Sequence, residues 1–368
     1  MEEMMGYIFP AYKAAAVQAA SVFLDRERTT DKACALIREA ARNGARLVVF
    51  PETYIAGYPH WTWLHTVKDG QKYFNSLVKS SVTVPSPTTD LLCAVARECD
   101  IFVAMGLNET SESSFAEIFN TMLLIDPTGR IIGKHRKLMP TFFEKLVWSF
   151  GDGKSLRTYD TEIGRLGMLI CGENGNPLAR FALTSQAEQV HIANFPAFPQ
   201  VGQIGDYSVR KATEIRAAAH SFEGKVFTIV SSSIIDDGVR DAIADRPEYV
   251  EVLKNGGVGL TAIYGPSGAM IAGPIPDNEE GIVYADINLE EGINWKIFHD
   301  YNGNYNRFDV LSLTINDAGR LPLHRTSGGQ HAELLETIRS RLATTADTTL
   351  AEDLQELISG FVPAGKRP

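Results

Sequence analysis

The feature of this chain that most constrains its fold is an alternation of short apolar runs with longer segments of helical periodicity. The run Leu47-Val48-Val49-Phe50 stops at Pro51, and a continuous apolar run of this kind is typical of a strand buried on both faces. Ahead of it, residues 30–43 carry apolar side chains at helical spacing, and Gly44 is placed to end that helix. Strands that alternate with helices in this way predict an α/β domain.

The same alternation continues to about residue 310. Further strands are predicted at 14–19, 101–106, 121–125, 131–132, 166–170, 190–193, 226–231 and 259–264. Between two of them, Asp126-Pro127-Thr128-Gly129 has the residues of a tight turn, which joins antiparallel neighbours. The predicted sheet is therefore mixed. A later helix is predicted to begin at about Pro177, because proline is tolerated in the first helical turn.

The composition changes after residue 315, where glycine, proline and serine recur as they do in a linker. We therefore predict a main domain over residues 12–315 and a tail over residues 316–368. Within the tail, apolar residues recur at helical spacing in 334–342 and again in 354–361. Two interpretations are equally open, a helix packed on its own domain or an arm that packs on another subunit.

Charge and cysteine content exclude several classes of protein. Lys and Arg number 35 against 45 Asp and Glu, a formal net charge of −10, which disfavours a nucleic-acid partner. No uncharged apolar segment approaches the length of about 18 residues that a bilayer span needs, so no membrane partner is expected. The first 12 residues lack the pattern of a signal peptide, and four cysteines in 368 residues are too few for a disulfide framework. We expect a cytoplasmic protein.

Motifs for metal and phosphate sites are missing from the sequence. It contains no HExxH motif, no paired CxxC motifs and no EF-hand loop, so we expect no metal site and no cofactor. Gly153-Lys154-Ser155 lacks the first glycine of a phosphate-binding loop, and Gly265-Pro266-Ser267-Gly268 misses the GxSxG pattern by one position.

Three polar residues follow predicted strands, at the positions where α/β sheets build their sites: Glu52, Lys137 and Cys171. A strand that delivers a thiol to a tight turn and then a helix resembles a nucleophile elbow in topology. Because the thiolate is the nucleophilic form of cysteine, a neighbouring ammonium would favour it and a carboxylate alongside could take its proton.

Each of these residues also has an ordinary structural interpretation. A lone cysteine after an apolar strand is usually an inert buried side chain, which is our interpretation of Cys34, Cys93 and Cys99. A glutamate after a strand is commonly a solvated cap or ion-pair partner. Lys137 ends the basic run that starts at Lys134 and could belong to a solvated turn.

The sequence segments around the three residues resemble those of the nitrilase superfamily, and the resemblance covers residues 12 to 315. The matching segments, in chain order, are Phe50-Pro51-Glu52, Arg136-Lys137-Leu138-Met139-Pro140-Thr141 with Glu144, and Leu169-Ile170-Cys171-Gly172-Glu173-Asn174. The segment Trp148-Ser149-Phe150-Gly151-Asp152-Gly153 resembles true nitrilases more than the amidase branch. Many nitrilases have tryptophan where this chain has Gly172, and Gly303–Val310 departs from the similar family segment at Asn304 and Phe308.

The resemblance implies an αββα sandwich of mixed sheets and a hydrolase that converts an organic nitrile and water to a carboxylic acid and ammonia. It implies Cys171 as nucleophile, Glu52 as proton carrier and Lys137 as the stabilising cation, with Glu144 as a supporting carboxylate. From their positions, the candidate substrate contacts are Tyr54, Trp148, Gly172 and Phe195.

Glu173, His135 and His191 are interpreted as structural residues. The alternatives are an amidase or a cyanide-degrading enzyme of the same superfamily, or a catalytically silent scaffold of the same fold. The resemblance also implies a homo-oligomer built from dimers, which in this family extend into spirals.

Overall fold

The computed structural model describes residues 7–199, 208–253 and 257–319. The described strands are β1 (Ala11–Gln18), β2 (Ala45–Val49), β3 (Phe102–Thr110), β4 (Ile118–Ile125), β5 (Ile131–Arg136), β6 (Tyr159–Thr161), β7 (Gly164–Ile170), β8 (Val190–Phe195), β9 (Phe198–Pro199), β10 (Phe227–Ser232), β11 (Gly257–Val258), β12 (Ala262–Tyr264), β13 (Met270–Ala272) and β14 (Gly281–Asn288). The described α-helices are α1 (Arg26–Arg42), α2 (Val67–Ser80), α3 (Pro87–Cys99), α4 (Pro177–Thr184), α5 (Val209–Gly224), α6 (Asp237–Ile243), α7 (Pro247–Leu253) and α8 (Glu290–Lys296).

Two six-stranded sheets organise the fold. The first has the order β14-β1-β2-β3-β4-β5, and the second has the order β13-β12-β10-β8-β7-β6. At the centre of the first sheet β1, β2 and β3 run parallel, and β7, β8 and β10 do so in the second. Antiparallel strands complete each sheet, including β4 and β5 on either side of the predicted turn at 126–129. The prediction of mixed sheets is therefore confirmed.

The two sheets pack face to face, with helices on the outside. Their facing side chains form one buried cluster, which includes Ala16 and Val49 from the first sheet and Met168 and Ile192 from the second. The other face of the first sheet packs on α1 and α3, where Ile37 is fully buried. Burying a side chain of this size stabilises the fold by about 1.5–3 kcal/mol. The predicted αββα architecture is confirmed.

The helix ends follow their local sequence. Asp25 caps α1 by accepting from the backbone N–H of Arg28, and Gly44 follows its last turn with a φ of +84°, which a glycine adopts without strain. Asn176 caps α4 by accepting from the N–H groups of Leu178 and Ala179, with Pro177 in the first turn as predicted.

Five described strands have no counterpart among the predicted strands, namely β6, β9, β11, β13 and β14, and β14 is the longest of them. β14 lies at the edge of the first sheet and pairs antiparallel with β1, from Ala11 against Asn288 to Gln18 against Gly281. Most of its residues are only partly buried, so it lacks the continuous apolar run that marks the central strands.

The predicted boundaries of the domain, 12–315, and of the tail, 316–368, stay predictions. All but the first four residues of the tail lie outside the described residues. Among the helices that the structure does describe, none combines the length and apolar character that a bilayer crossing requires.

Candidate active site

Glu52 stands just beyond the carboxyl end of β2 and is 1% exposed. Its Oε1 accepts from Asn120 Nδ2 at 2.5 Å and from Lys137 Nζ at 2.8 Å. Its Oε2 has no hydrogen-bond partner among the described side chains and is also buried. The carboxylate is therefore held by one oxygen, while the other is available to take a proton. The solvated-cap interpretation of Glu52 is excluded by its burial.

Lys137 follows β5 and is also 1% exposed. Its ammonium donates to Glu52 Oε1 and, at 2.7 Å, to Glu144 Oε2. The preceding basic residues behave differently, because Lys134 and Arg136 both pair with the buried carboxylate of Glu109. Lys137 is thus a buried cation between two carboxylates. The interpretation that it belongs to a solvated basic turn is therefore excluded.

Glu144 lies on a short 3-10 turn, Phe142–Leu146, that begins soon after Lys137. One carboxylate oxygen accepts from the backbone N–H of Thr141 at 2.7 Å as well as from Lys137. The other accepts from the Tyr58 hydroxyl at 2.9 Å. Both oxygens are therefore occupied, which fixes Glu144 more tightly than Glu52.

Cys171 begins the 3-10 turn Cys171–Gly175 at the end of β7. Its φ of +50° is unusual for a residue with a side chain, and such backbone strain costs about 1–3 kcal/mol and recurs at functional sites. Its Sγ, one carboxylate oxygen of Glu52 and one carboxylate oxygen of Glu144 lie within 4.8 Å of one another. The structure thus brings together the four residues that the sequence picked out from three separate segments.

Glu173 ties the cysteine turn to the lysine segment. Its carboxylate accepts from the backbone N–H groups of Leu138 at 2.5 Å and Ile170 at 2.8 Å, and from His135 Nε2 at 3.0 Å. Burial alone would raise the pKa of Glu173, but His135 and the two backbone donors outweigh it and lower the pKa. Glu173 therefore links the segment that carries Lys137 to the turn that carries Cys171, and none of these hydrogen bonds involves the thiol.

Burial dominates the proton affinities in this group. It raises the pKa of Glu52 to about 7, even though Lys137 opposes the shift. It also raises the pKa of Cys171 well above the usual range, with the Glu52 charge adding to the effect and Lys137 opposing it. The sequence-based expectation that a nearby ammonium favours the thiolate is thus outweighed by desolvation. The pKa of Lys137 is raised instead, because its two carboxylates overcome the effect of burial.

The carboxylates of Glu52 and Glu144 and the Cys171 sulfur are not arranged as a metal site. Glu52, Glu144 and Cys171 offer two carboxylates and a sulfur, but the Lys137 ammonium donates to both carboxylates from between them. It already supplies the positive charge that a metal ion would bring. The group is therefore built for acid–base and nucleophilic chemistry with a thiol.

The four candidate substrate contacts lie in different surroundings. Trp148 packs its ring 5.8 Å from Lys137 Nζ, and Phe195 shares the inter-sheet cluster with Cys171. A Cβ on Gly172 would meet the Thr141 hydroxyl at 2.9 Å, so this position leaves little room for a larger side chain without movement. Tyr54 instead packs against Phe50 in the cluster under α1 and α3, whereas Cys171 belongs to the inter-sheet cluster. Its contact with the substrate stays a prediction.

The remaining cysteines lie elsewhere. Cys34 is part of the cluster under α1 and α3, and Cys93 and Cys99 pack against that cluster. Burial raises the pKa of Cys34 to about 11. All four cysteines are free.

Two partners of the site are missing from the sequence-based candidates, Tyr58 on Glu144 and Asn120 on Glu52. The sequence does contain a signal for Asn120, because a buried amide is unusual inside a mostly apolar strand such as β4. Tyr58 belongs to an aromatic wall that no sequence pattern marked. Its ring meets Trp148 edge-on at 5.5 Å and Phe198 at 6.1 Å, and Phe198 in turn meets Trp63 at 5.9 Å.

Comparison with known proteins agrees with this geometry. A family model described as carbon-nitrogen hydrolase matches residues 13–297. The chain is 38% identical to a nitrilase from Bacillus sp. (strain OxB-1), over 90% of this chain and 96% of the relative. It is 35% identical to an aliphatic nitrilase from Rhodococcus rhodochrous, over 87% of each chain. An arylacetone-specific nitrilase from Alcaligenes faecalis is 34% identical, over 85% of this chain and 87% of the relative.

Solved structures agree on the fold. A carbon-nitrogen hydrolase from Helicobacter pylori G27 superposes with a TM-score of 0.64 at 18% identity, over 81% of this chain and 96% of that one. An amidase from Nesterenkonia sp. AN1 superposes with a TM-score of 0.54 at 16% identity, over 75% and 93%. From the family match and the identities to its relatives, we conclude that this chain belongs to the carbon-nitrogen hydrolase family.

Proposed function

We propose that this protein is a nitrilase, which hydrolyses an organic nitrile to the carboxylic acid and ammonia. The observation that carries the proposal is the buried group in which the Cys171 thiol lies within 4.8 Å of the Glu52 and Glu144 carboxylates. A nitrile carbon is electrophilic, but its nitrogen leaves only after it has been protonated, so hydrolysis needs a nucleophile and a proton carrier. The group supplies both, and relatives at 33–38% identity are named nitrilases.

In the first step, Cys171 Sγ attacks the nitrile carbon while its proton passes to the Glu52 carboxylate. The carbon–sulfur bond forms as one carbon–nitrogen bond opens, and the proton on Glu52 moves to the nitrogen to give a covalent thioimidate. Lys137 and the backbone N–H of Gly172 stabilise the negative charge that develops on nitrogen. Because burial keeps the thiol protonated at rest, Glu52 must act as base during the attack and not before it.

In the second step, Glu52 takes a proton from water, which attacks the thioimidate carbon. Glu52 returns that proton to the nitrogen, the second proton of the water follows as the carbonyl forms, and the carbon–nitrogen bond breaks to release ammonia and leave a thioester to Cys171. A second water cleaves the thioester to the acid and restores the thiol. Glu144 positions Lys137 throughout, since it is held by Tyr58 and Thr141 and does not need to move.

A screen for ammonia release tests the proposal. Incubation with phenylacetonitrile, a short aliphatic nitrile, cyanide and the corresponding amides should release ammonia from at least one organic nitrile. The aromatic wall of Tyr58, Trp148 and Phe198 provides an apolar surface for the organic substituent of a nitrile. Cyanide has no such substituent, so the wall favours an organic nitrile over cyanide as the substrate. Ammonia from amides only would overturn the nitrilase proposal in favour of an amidase, and ammonia from no substrate would favour a silent scaffold.

The raised pKa of Glu52 predicts the acid limb of the pH profile. Its ionised form takes the thiol proton, so kcat/KM should fall about tenfold per pH unit as the pH drops below about 7. Steady-state rates between pH 5 and 9 on the best nitrile measure this limb. In Glu52→Gln, kcat should fall by about 10²-fold or more and the limb near pH 7 should disappear. A wild-type profile that stays flat from pH 5 to 8 would remove Glu52 as the base.

Self-association is part of the same proposal. Several large apolar side chains near the end of the described residues are exposed, among them Ile297, Phe298, Val310 and Leu311. These two pairs of exposed apolar neighbours support contact with another subunit.

A further inference from the structure

Three buried titratable residues take no part in the proposed chemistry. They are Glu188, just before β8, His191 on β8 and His220 on α5, and each is at most 3% exposed. Glu188 Oε1 lies 2.7 Å from His191 Nδ1, and its Oε2 lies 2.6 Å from His220 Nε2. The two imidazole rings stack with their centroids 3.6 Å apart. One carboxylate therefore joins two histidines from different elements.

The strand beside this cluster makes room for the carboxylate. On β7, a Cβ added at Gly167 would come within 1.9 Å of Glu188 Oε1. Any side chain at this position would expel the carboxylate from its place between the histidines. The position of Glu188 therefore depends on a glycine in the strand that leads to Cys171.

The cluster reaches the nucleophile through Asn174. His191 Nε2 lies 2.8 Å from Asn174 Oδ1, and Asn174 Nδ2 donates to the carbonyl oxygens of Cys171 at 3.1 Å and Leu169 at 3.2 Å. Because an amide oxygen facing two carbonyl oxygens would be repelled, the Asn174 oxygen faces His191, and His191 presents Nε2–H to it. The chain of contacts thus runs from α5 to the backbone of Cys171.

The same argument fixes the protons along the chain. A bare Nδ1 at 2.7 Å from a bare carboxylate oxygen would be repulsive, so one proton lies between His191 and Glu188. His220 then donates its Nε2–H to the other oxygen. Directed hydrogen bonds at 2.6–2.8 Å use the lone pairs that a metal ion would need, so the arrangement favours a hydrogen-bonded relay over a metal site.

We propose that Glu188, His191 and His220 form a relay that orients the Asn174 amide and thereby positions the strained Cys171 turn for attack on the substrate. They are positioning residues, and the inference rests on the proposed function. The thiol must stay aligned with Glu52 across a buried gap, and a displacement of about 1 Å in such a site can cost about 100-fold in rate. A relay fixed at both ends holds the turn against that displacement.

A matched pair of substitutions at Glu188 tests the relay. In Glu188→Gln the amide can donate to His191 Nδ1 and accept from His220, so every contact survives and kcat should stay within about threefold of wild type. In Glu188→Leu both contacts are lost, and kcat should fall by about 10- to 100-fold with KM changed by less than about threefold. Should Glu188→Leu not fold, His220→Leu against His220→Gln repeats the comparison at the far end of the relay.

Asp126→Asn separates positioning from general loss of stability. Asp126 is a buried carboxylate in the turn between β4 and β5, where it accepts from Thr128 and Arg130 and has no link to the cysteine turn through these bonds. The Asp126→Asn substitution should lower the melting temperature of the protein and leave kcat unchanged. If Glu188→Leu keeps wild-type kcat, or if Glu188→Gln loses as much as Glu188→Leu, the relay is wrong.

A readout that needs no nitrile keeps this test distinct from that of the proposed function. The rate at which iodoacetamide alkylates Cys171, followed by peptide mass, depends on the alignment of the thiol with Glu52 whatever the natural substrate is. We expect equal rates in wild type and Glu188→Gln and a rate about tenfold lower in Glu188→Leu. Equal rates in all three proteins would overturn the relay even if nitriles are hydrolysed, whereas a slow Glu188→Leu would support it even if none are.

Discussion

Replacing Cys171 by alanine should abolish ammonia release from nitriles, with kcat reduced by about 10⁴-fold or more, because the covalent route through the thioimidate is lost. The protein should still fold. The substitution removes one buried sulfur and leaves the hydrogen bonds of Glu173 and Asn174 to neighbouring backbone groups in place. Circular dichroism and thermal unfolding would record the fold, and ammonia assays would record the turnover.

Cys93→Ala is the matched control, since Cys93 packs on the outer cluster under α1 and α3 and its thiol lies away from the carboxylates. It should retain turnover within about twofold. Intact-mass analysis with a slow nitrile gives a second measure, because a covalent adduct should map to Cys171 in wild type and be missing in Cys171→Ala. Normal turnover by Cys171→Ala, or an adduct on Cys93, would take the nucleophile assignment away from Cys171.

One physical regularity explains why the sequence could mark residues that the structure brings together. A buried parallel strand must be apolar along its length, so the first polar residue after it is conspicuous, and parallel strands end at the same edge of the sheet. Glu52 after β2 and Cys171 after β7 follow this rule directly. Their meeting across two different sheets does not follow from it, and that expectation came from the resemblance to a known family.

Other properties depend on three-dimensional surroundings that no local pattern records. The sign of the pKa shift at Cys171 depends on desolvation against the Lys137 charge, and burial of the whole group decides it. The relay was equally hidden, because His191 and His220 are ordinary residues within a strand and a helix until Glu188 brings them together. Edge strand β14 escaped prediction because a half-exposed strand has no distinctive periodicity.

Replacing Lys137 by leucine should produce the largest loss of stability of any single change at the site, together with complete loss of turnover. The ammonium is the partner of both Glu52 and Glu144, and its removal leaves two buried carboxylates without their cation. Breaking a buried ion pair in this way costs about 3–5 kcal/mol. Urea unfolding at pH 7.5 would measure the free energy, and Glu144→Gln added to Lys137→Leu should recover part of it by removing one uncompensated charge.

The loss of unfolding free energy in Lys137→Leu should depend on pH, and the titration of Glu52 sets the direction of that dependence. Lys137 opposes the rise in the Glu52 pKa, so its removal raises that pKa further above the value in the unfolded chain. A group whose pKa is raised on folding stabilises the folded state at low pH and loses that contribution as the pH rises through its folded pKa. The difference in free energy of unfolding between wild type and Lys137→Leu should therefore widen from pH 5 to pH 9.

Lys134→Leu is the control, since Lys134 is partly exposed and Arg136 also pairs with Glu109. This substitution should lower the free energy of unfolding by less than about 1 kcal/mol at every pH. A deficit for Lys137→Leu that is equally small, or that narrows as the pH rises, would mean that Lys137 does not neutralise the two carboxylates.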